Sequence, residues 1–218
     1  MTKFSSTFCY VFAVLLAIGA GPSVAEIVPD SGILNFRVMR SGTPIGTHKL
    51  LFRQSGDVVD VRINTRIAVK MAYITVYRFE HYGHEVWKNG RLTSMETRTH
   101  DDGTDHDLRV LSREDGKLRV IGDGVESVAE GDAVPASVWN PAFIRTGKLM
   151  NSLVGGQLAV RVDFRGEETL QVRGKPVKAK HYSMTGNFAR ELWYDEKWVL
   201  VRMSLTGKDG SAVDYILY

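Results

Sequence analysis

The chain of 218 residues holds a single cysteine, Cys9, and only 6 prolines. One thiol cannot form an internal disulfide, so the fold must be held by its core. There is no HExxH pair, no EF-hand loop and no GxSxG elbow, and the short glycine turns precede strands rather than helices. The sequence therefore names no cofactor, no metal-ligand set and no catalytic residue. Charge of one sign is also missing. Against 28 basic residues stand 25 acidic ones, and no run of like charges reaches five, which gives no overall drive towards nucleic acid. One apolar stretch lies near the start, and no second apolar segment is long enough to span a bilayer either.

That one stretch reads as an export signal. Lys3 supplies the positive start, Phe8 to Ala20 carries no charged side chain, and Gly21-Pro22 breaks any helix. Ser23-Val24-Ala25 sets small residues where a signal peptidase reads them, which predicts cleavage after Ala25. At ~1.5 Å per residue the apolar run spans roughly 20 Å, short of a hydrocarbon core of about 30 Å, so a cleaved signal fits better than an anchor. Cys9 lies inside the run rather than at the cleavage point, which argues against a lipoprotein. Cleavage removes the only thiol. It also removes Lys3, lowering the formal charge from +3 to +2, because no acidic residue precedes Glu26. The expectation is a periplasmic or secreted, disulfide-free protein in which residues 26–218 form one β-rich domain.

The rest of the chain is punctuated by turn chemistry: Ser41-Gly42, Ser55-Gly56-Asp57, Asn89-Gly90, Asp102-Gly103, Asp115-Gly116, Asp123-Gly124, Gly155-Gly156, Gly174 and Asp209-Gly210. Asn-Gly and Asp-Gly are strong hairpin signals. Between the turns the sequence alternates with period two. Val59, Val61, Ile63, Thr65, Ile67 and Val69 form one stripe, with Asp60, Arg62, Asn64, Arg66 and Lys70 on the other face. Val199 to Leu205 and Leu158 to Phe164 give two more. This predicts a mainly β protein, a curled antiparallel sheet or open barrel of about eleven strands. One segment breaks the rhythm. Asn140-Pro141, with Phe143, Leu149, Met150 and Leu153 behind it, predicts a short helix near residues 141–153 that covers a sheet face or a cavity.

Trp139-Asn140-Pro141, the Gly-Gly turn and its strand, Gly174 to Tyr182, Thr185-Gly186 and Glu191 to Asp195 together resemble the DUF6134 family, exported bacterial proteins of unknown function. The closing stretch from Leu192 to Tyr218 is similar to the carboxy-terminal hairpins of DUF3108-like proteins. The resemblance implies a curled antiparallel sheet and a periplasmic setting. It brings no activity and no catalytic residue.

Several residue groups are candidates for a site. Tyr73, Thr75, Tyr77, Phe79 and His81 would share one strand face, a row of aromatic bodies with polar tips that suits a pocket for an apolar ligand. Arg62, Arg66 and Lys70 form a basic row fit for an anionic headgroup if Arg98 and Arg109 lie on adjacent strands; the opposing reading is a solvated face of cross-strand ion pairs. Trp193 and Tyr194 must point to opposite faces, one to the core and one to the concave side or solvent, while Trp139 leads into the expected helix. His100, Asp101, Asp102, Asp105, His106 and Asp107 are dense enough for a divalent metal, but Asp101-Asp102-Gly103 is what a hairpin turn wants. The ligand-binding set is thus Tyr73, Tyr77, Phe79, His81, Arg62, Arg66, Trp139 and Trp193. The preferred function is non-enzymatic binding of a hydrophobic or amphiphilic ligand, lipids among them, in the sheet's concavity. Opposing it are an envelope protein with a filled core that is structural or partner-binding, and, third, a hydrolase. No protein partner is named by the sequence.

Overall fold

The structure is a computed structural model that describes Val24, residues 27–207 and residues 209–218. Apart from Val24, the expected signal segment, with Cys9 and Ala25 at the cleavage point, lies outside the described residues.

Period-two alternation emerges as fourteen strands. The first arm holds β1 (Ile33–Arg40), β2 (Thr43–Ser55), β3 (Val58–Met71), β4 (Ile74–Lys88), β5 (Arg91–Asp101), β6 (Thr104–Ser112), β7 (Leu118–Gly122) and β8 (Val125–Ala129). The second holds β9 (Lys148–Met150), β10 (Gln157–Val172), β11 (Lys175–Gly186), β12 (Arg190–Asp195), β13 (Leu200–Thr206) and β14 (Ala212–Leu217). All lie in one sheet, ordered β8-β7-β6-β5-β4-β3-β2-β1-β14-β13-β12-β11-β10-β9. Every neighbouring pair is antiparallel. The strand count exceeds the eleven expected, and the short strands β7, β8 and β9, at 5, 5 and 3 residues, offer little length over which a sequence pattern can be read.

Turn chemistry sets the hairpins. Asn89 and Gly90 both take positive φ, 50° and 75°, and so do Asp102-Gly103 and Asp123-Gly124; such turns match the twist of the flanking strands. Alternation then sorts the faces. In β3, Val59, Val61, Ile63, Thr65, Ile67 and Val69 are all buried, and the residues between them face out. The third stripe fades: Phe164 in β10 is 57% exposed, beside a register shift between Phe164 and Gly166.

The predicted helix near residues 141–153 is corrected to one turn. Helix α1 spans Phe143–Thr146, opened by Asn140, whose side chain accepts the Ala142 N–H at 3.0 Å. Gly147 ends it in the left-handed region (φ 62°), its N–H donating to the Phe143 carbonyl. Leu149 and Met150 then pair with β10 instead of continuing the helix.

Residues 130–147 join the two free edges of the sheet, β8 and β9, and together with the loop 151–156 after β9 they form a crossing segment through its concavity. Trp139 is 2% exposed, edge-on to Phe52 of β2 and Trp87 of β4. From the other arm, the hydroxyl of Tyr194 in β12 donates to the Val138 carbonyl at 2.6 Å. Further on, Thr97 of β5 donates to the Ser152 carbonyl at 2.8 Å. Contacts from both arms to one segment show that the sheet curls around it. Burying Trp139, Phe143 and Leu149 there stabilises the fold by about 2–3 kcal/mol each.

Candidate ligand cavity

The crossing segment does not fill the whole concavity. A cavity of about 330 Å³ remains at the end of the curled sheet that carries the β1–β2, β3–β4 and β13–β14 turns. Ile63 and Phe79 line one wall, Leu158, Met203 and Leu205 another, and Val138 and Ser152 of the crossing segment close the base.

A polar row crosses the inner face at the cavity. Cross-strand register places His48 opposite Thr65, Thr65 opposite His81, His81 opposite Thr99, and Thr99 opposite His106. His48, Thr65, His81 and Thr99 are all buried. Burial of four polar groups is costly unless they pair, and they do. His48 Nδ1 lies 2.7 Å from Thr65 Oγ1, and His81 Nδ1 lies 2.8 Å from Thr99 Oγ1. Burial lowers the His48 imidazole from its ordinary value to about 3, with His81 adding to the effect, and lowers His81 to about 4. Both are neutral near pH 7.

Tyr215 of β14 extends the row, its ring edge-on to His48 at 5.5 Å, and Arg190 of β12 also lines the cavity. The Arg190 guanidinium lies 4.0 Å over the Phe188 ring, and its Nη1 donates to the Ala189 carbonyl at 2.7 Å. Burial lowers its pKa, an effect that Tyr215 opposes; burial raises the Tyr215 phenol, which Arg190 pulls back. A guanidinium stays protonated even so. Among the described residues no carboxylate forms an ion pair with it.

The sequence-predicted residues are divided among several places. Phe79 and His81 line the cavity, their rings stacked at 6.3 Å. Tyr77 is on the same face but half-buried beyond it, its hydroxyl donating to Asp101 at 2.9 Å. Tyr73 is fully exposed, because Ala72 and Tyr73 form the β3–β4 turn with φ of 46° and 71°. Trp139 packs in the core. Trp193 sits on the outer face, stacked on His181 at 4.3 Å with Arg202 on its ring at 4.8 Å, while its neighbour Tyr194 is fully buried inside.

Arg62 and Arg66 also face outward. Arg62 lies 3.7 Å from Asp60, and Arg66 donates to the Tyr82 hydroxyl at 2.9 Å. A larger hollow of about 1000 Å³ covers this outer face between Glu80 and Arg109. It is broad and shallow, and its charges are paired: His84 with Asp60 at 2.6 Å, Arg109 with Glu96 at 3.2 Å, Arg98 with Asp107 at 3.9 Å. These are the cross-strand ion pairs of a solvated face, and they leave little uncompensated charge for an anion. The His-Asp cluster likewise resolves into separate pairs, His100 with Asp105 at 2.6 Å and His106 with Asp123 at 2.7 Å. Among the described residues no three His, Cys, Asp or Glu side chains converge as a metal site requires.

His48, Arg190 and Tyr215 are not legible as site residues in the sequence. A signal exists for His48 alone: counting seven residues along each strand from the Ser55–Val58 pair at the β2–β3 turn sets it opposite Thr65.

A family model described as Domain of unknown function (DUF6134) matches residues 36–218. Among solved structures, the chain is similar to a β-barrel-like protein of domain of unknown function DUF1849 from Brucella abortus. The TM-score is 0.58 at 11% identity, over 85% of this chain and 94% of that one. At such identity the likeness shows the fold alone. Among curated proteins no match is found. No helix among the described residues is long and apolar enough to cross a membrane.

Proposed function

The chain belongs to the DUF6134 family, and on that premise we propose that it is an exported protein that binds a small amphiphilic molecule in the cavity facing His48 and His81. The observation that carries this reading is the cavity itself. Elsewhere the crossing segment packs the concavity with Trp139, Phe143 and Leu149, whereas here about 330 Å³ stays open between apolar walls and a few convergent polar groups. That size stands at the lower end of the range for small-molecule sites, ~300–1,000 Å³. Export rests on the charge and apolar pattern of residues 1–25.

Native mass spectrometry of the purified protein, with thermal melts in added amphiphiles, tests the binding. The expected result is one small amphiphile per chain and a melting temperature that rises with ligand concentration. Leu158→Trp, which fills the cavity, should abolish both and leave the circular dichroism unchanged. Repeated recovery without a bound molecule, and melts unmoved by any amphiphile, would sink the reading. For export, amino-terminal sequencing of protein from a periplasmic extract should begin at Glu26; an intact amino terminus on cytoplasmic protein would count against it.

A second reading has its own support. The packed crossing segment occupies most of the concavity, as expected of a structural or partner-binding envelope protein. The same melts decide between them, since a ligand-free protein would show no response.

A further inference from the structure

The amphiphile reading leaves open which head group the cavity accepts, and the inference here rests on that reading. Apart from Arg190, the polar lining is uncharged near pH 7: His48 and His81 are held neutral by burial, and the others are hydroxyls and amides. Arg190 is therefore a single positive charge facing an otherwise uncharged space. Among the described residues its one hydrogen bond is the Nη1 donation to the Ala189 carbonyl, and its guanidinium carbon lies 4.0 Å from the Phe188 ring centroid. Among the described residues its remaining N–H groups have no acceptor. Tyr215, on the neighbouring wall, likewise makes no hydrogen bond through its hydroxyl to any of the described residues.

Arg190 is partly buried at the rim of the cavity, and a cation partly withdrawn from water without a counter-charge favours a bound anion. We propose that the ligand is a monoanionic amphiphile, a medium-chain carboxylic acid, with its carboxylate on Arg190 and its chain along Phe79, Leu158, Met203 and Leu205. A planar fork of N–H donors matches a carboxylate in geometry as well as charge. One guanidinium balances one negative charge. A phosphate dianion would leave a charge uncompensated in a site where burial already keeps two imidazoles neutral. Tyr215 is placed to add a hydroxyl donor beside the guanidinium.

The test compares decanoate with 1-decanol by isothermal titration against the full-length wild-type protein, Arg190→Gln and Arg190→Lys. Wild type should bind decanoate with one site and at least tenfold more tightly than decanol. R190Q should bring the two affinities together with little change for decanol, and R190K should keep a preference for the acid. Decanol bound as tightly as decanoate by wild type overturns the carboxylate assignment and leaves amphiphile binding standing. Retention of the full acid preference in R190Q overturns it as well. Binding of neither compound overturns both readings. If R190Q does not fold, the wild-type comparison still decides.

Discussion

The indole N–H of Trp139 donates to Oε2 of Glu85 at 3.0 Å, and the same oxygen accepts the Trp87 indole at 2.9 Å. Glu85 is fully buried on β4, and Trp139 belongs to the crossing segment, so this contact pins the segment to the inner face. Burial pushes the Glu85 carboxyl above its ordinary value, against the pull of the two indoles.

Glu85→Leu should destabilise the protein strongly, by about 3–5 kcal/mol, since it leaves two buried indole N–H groups without an acceptor. Glu85→Gln keeps a carbonyl acceptor and should cost much less, about 1 kcal/mol. Urea unfolding at pH 7.5 checks the order. Equal losses in the two variants would show that the indoles do not depend on this acceptor.

The β3–β4 turn offers a gain. Ala72 and Tyr73 adopt φ of 46° and 71°, close to the 50° and 75° of Asn89-Gly90, but without residues suited to it. A left-handed conformation costs roughly 1–2 kcal/mol per ordinary residue. The double substitution Ala72→Asn, Tyr73→Gly should therefore stabilise the fold by about 1–2 kcal/mol. A higher urea midpoint with an unchanged slope is the expected readout.

Gly155 should tolerate no side chain. Its φ is 74°, and an added Cβ would lie 2.5 Å from Cγ1 of Val120, on the strand the turn packs against. Gly155→Ala should cost about 2–4 kcal/mol, combining backbone strain with overpacking. Gly156→Ala is the control: φ is 75° there too, but nothing lies within 4 Å. It should cost only the backbone strain, and equal melting temperatures for the two variants would contradict the close approach.

Stability should fall as the pH drops below neutral. His48 and His81 titrate at about 6.5 in the unfolded chain and at about 3 and about 4 in the folded one. Between those values the unfolded state holds more protons, so the folded state loses up to about 1.4 kcal/mol per pH unit for each imidazole. Their contribution is complete above pH ~6.5 and shrinks as the pH falls towards 4. Glu85 acts in the opposite sense: its raised carboxyl lets the folded state take a proton first on acidification, which offsets part of the loss. The double variant His48→Asn, His81→Asn should therefore show a flatter dependence between pH 7.5 and 5 in denaturant titrations. Parallel curves for wild type and variant would refute the assignment to these two groups.

Much of the sheet is legible because its determinants are local. Turn residues with positive φ and period-two alternation act over a few residues, so the β3 stripe and the Asn89-Gly90 hairpin can be read directly. The turn at Ala72-Tyr73 escapes the same reading, since neither residue advertises a turn, and Tyr73 passes for a member of a strand row. In the site, Phe79 and His81 follow from alternation, Tyr215 reaches His48 across β1 through the pairing of β1 with β14, and Arg190 of β12 reaches the cavity only through the curl of the sheet.

By itself the sequence determined an antiparallel β domain, the two faces of its strands, and the rule that Trp193 and Tyr194 could not share an environment. Tertiary structure decided which went inside. It also decided that β1 pairs with β14, that the crossing segment between β8 and β9 occupies the concavity, and that one end stays open. Hairpin register is fixed within neighbouring strands by turn geometry, whereas the pairing of distant strands and the space left between them depend on how the whole set of side chains packs.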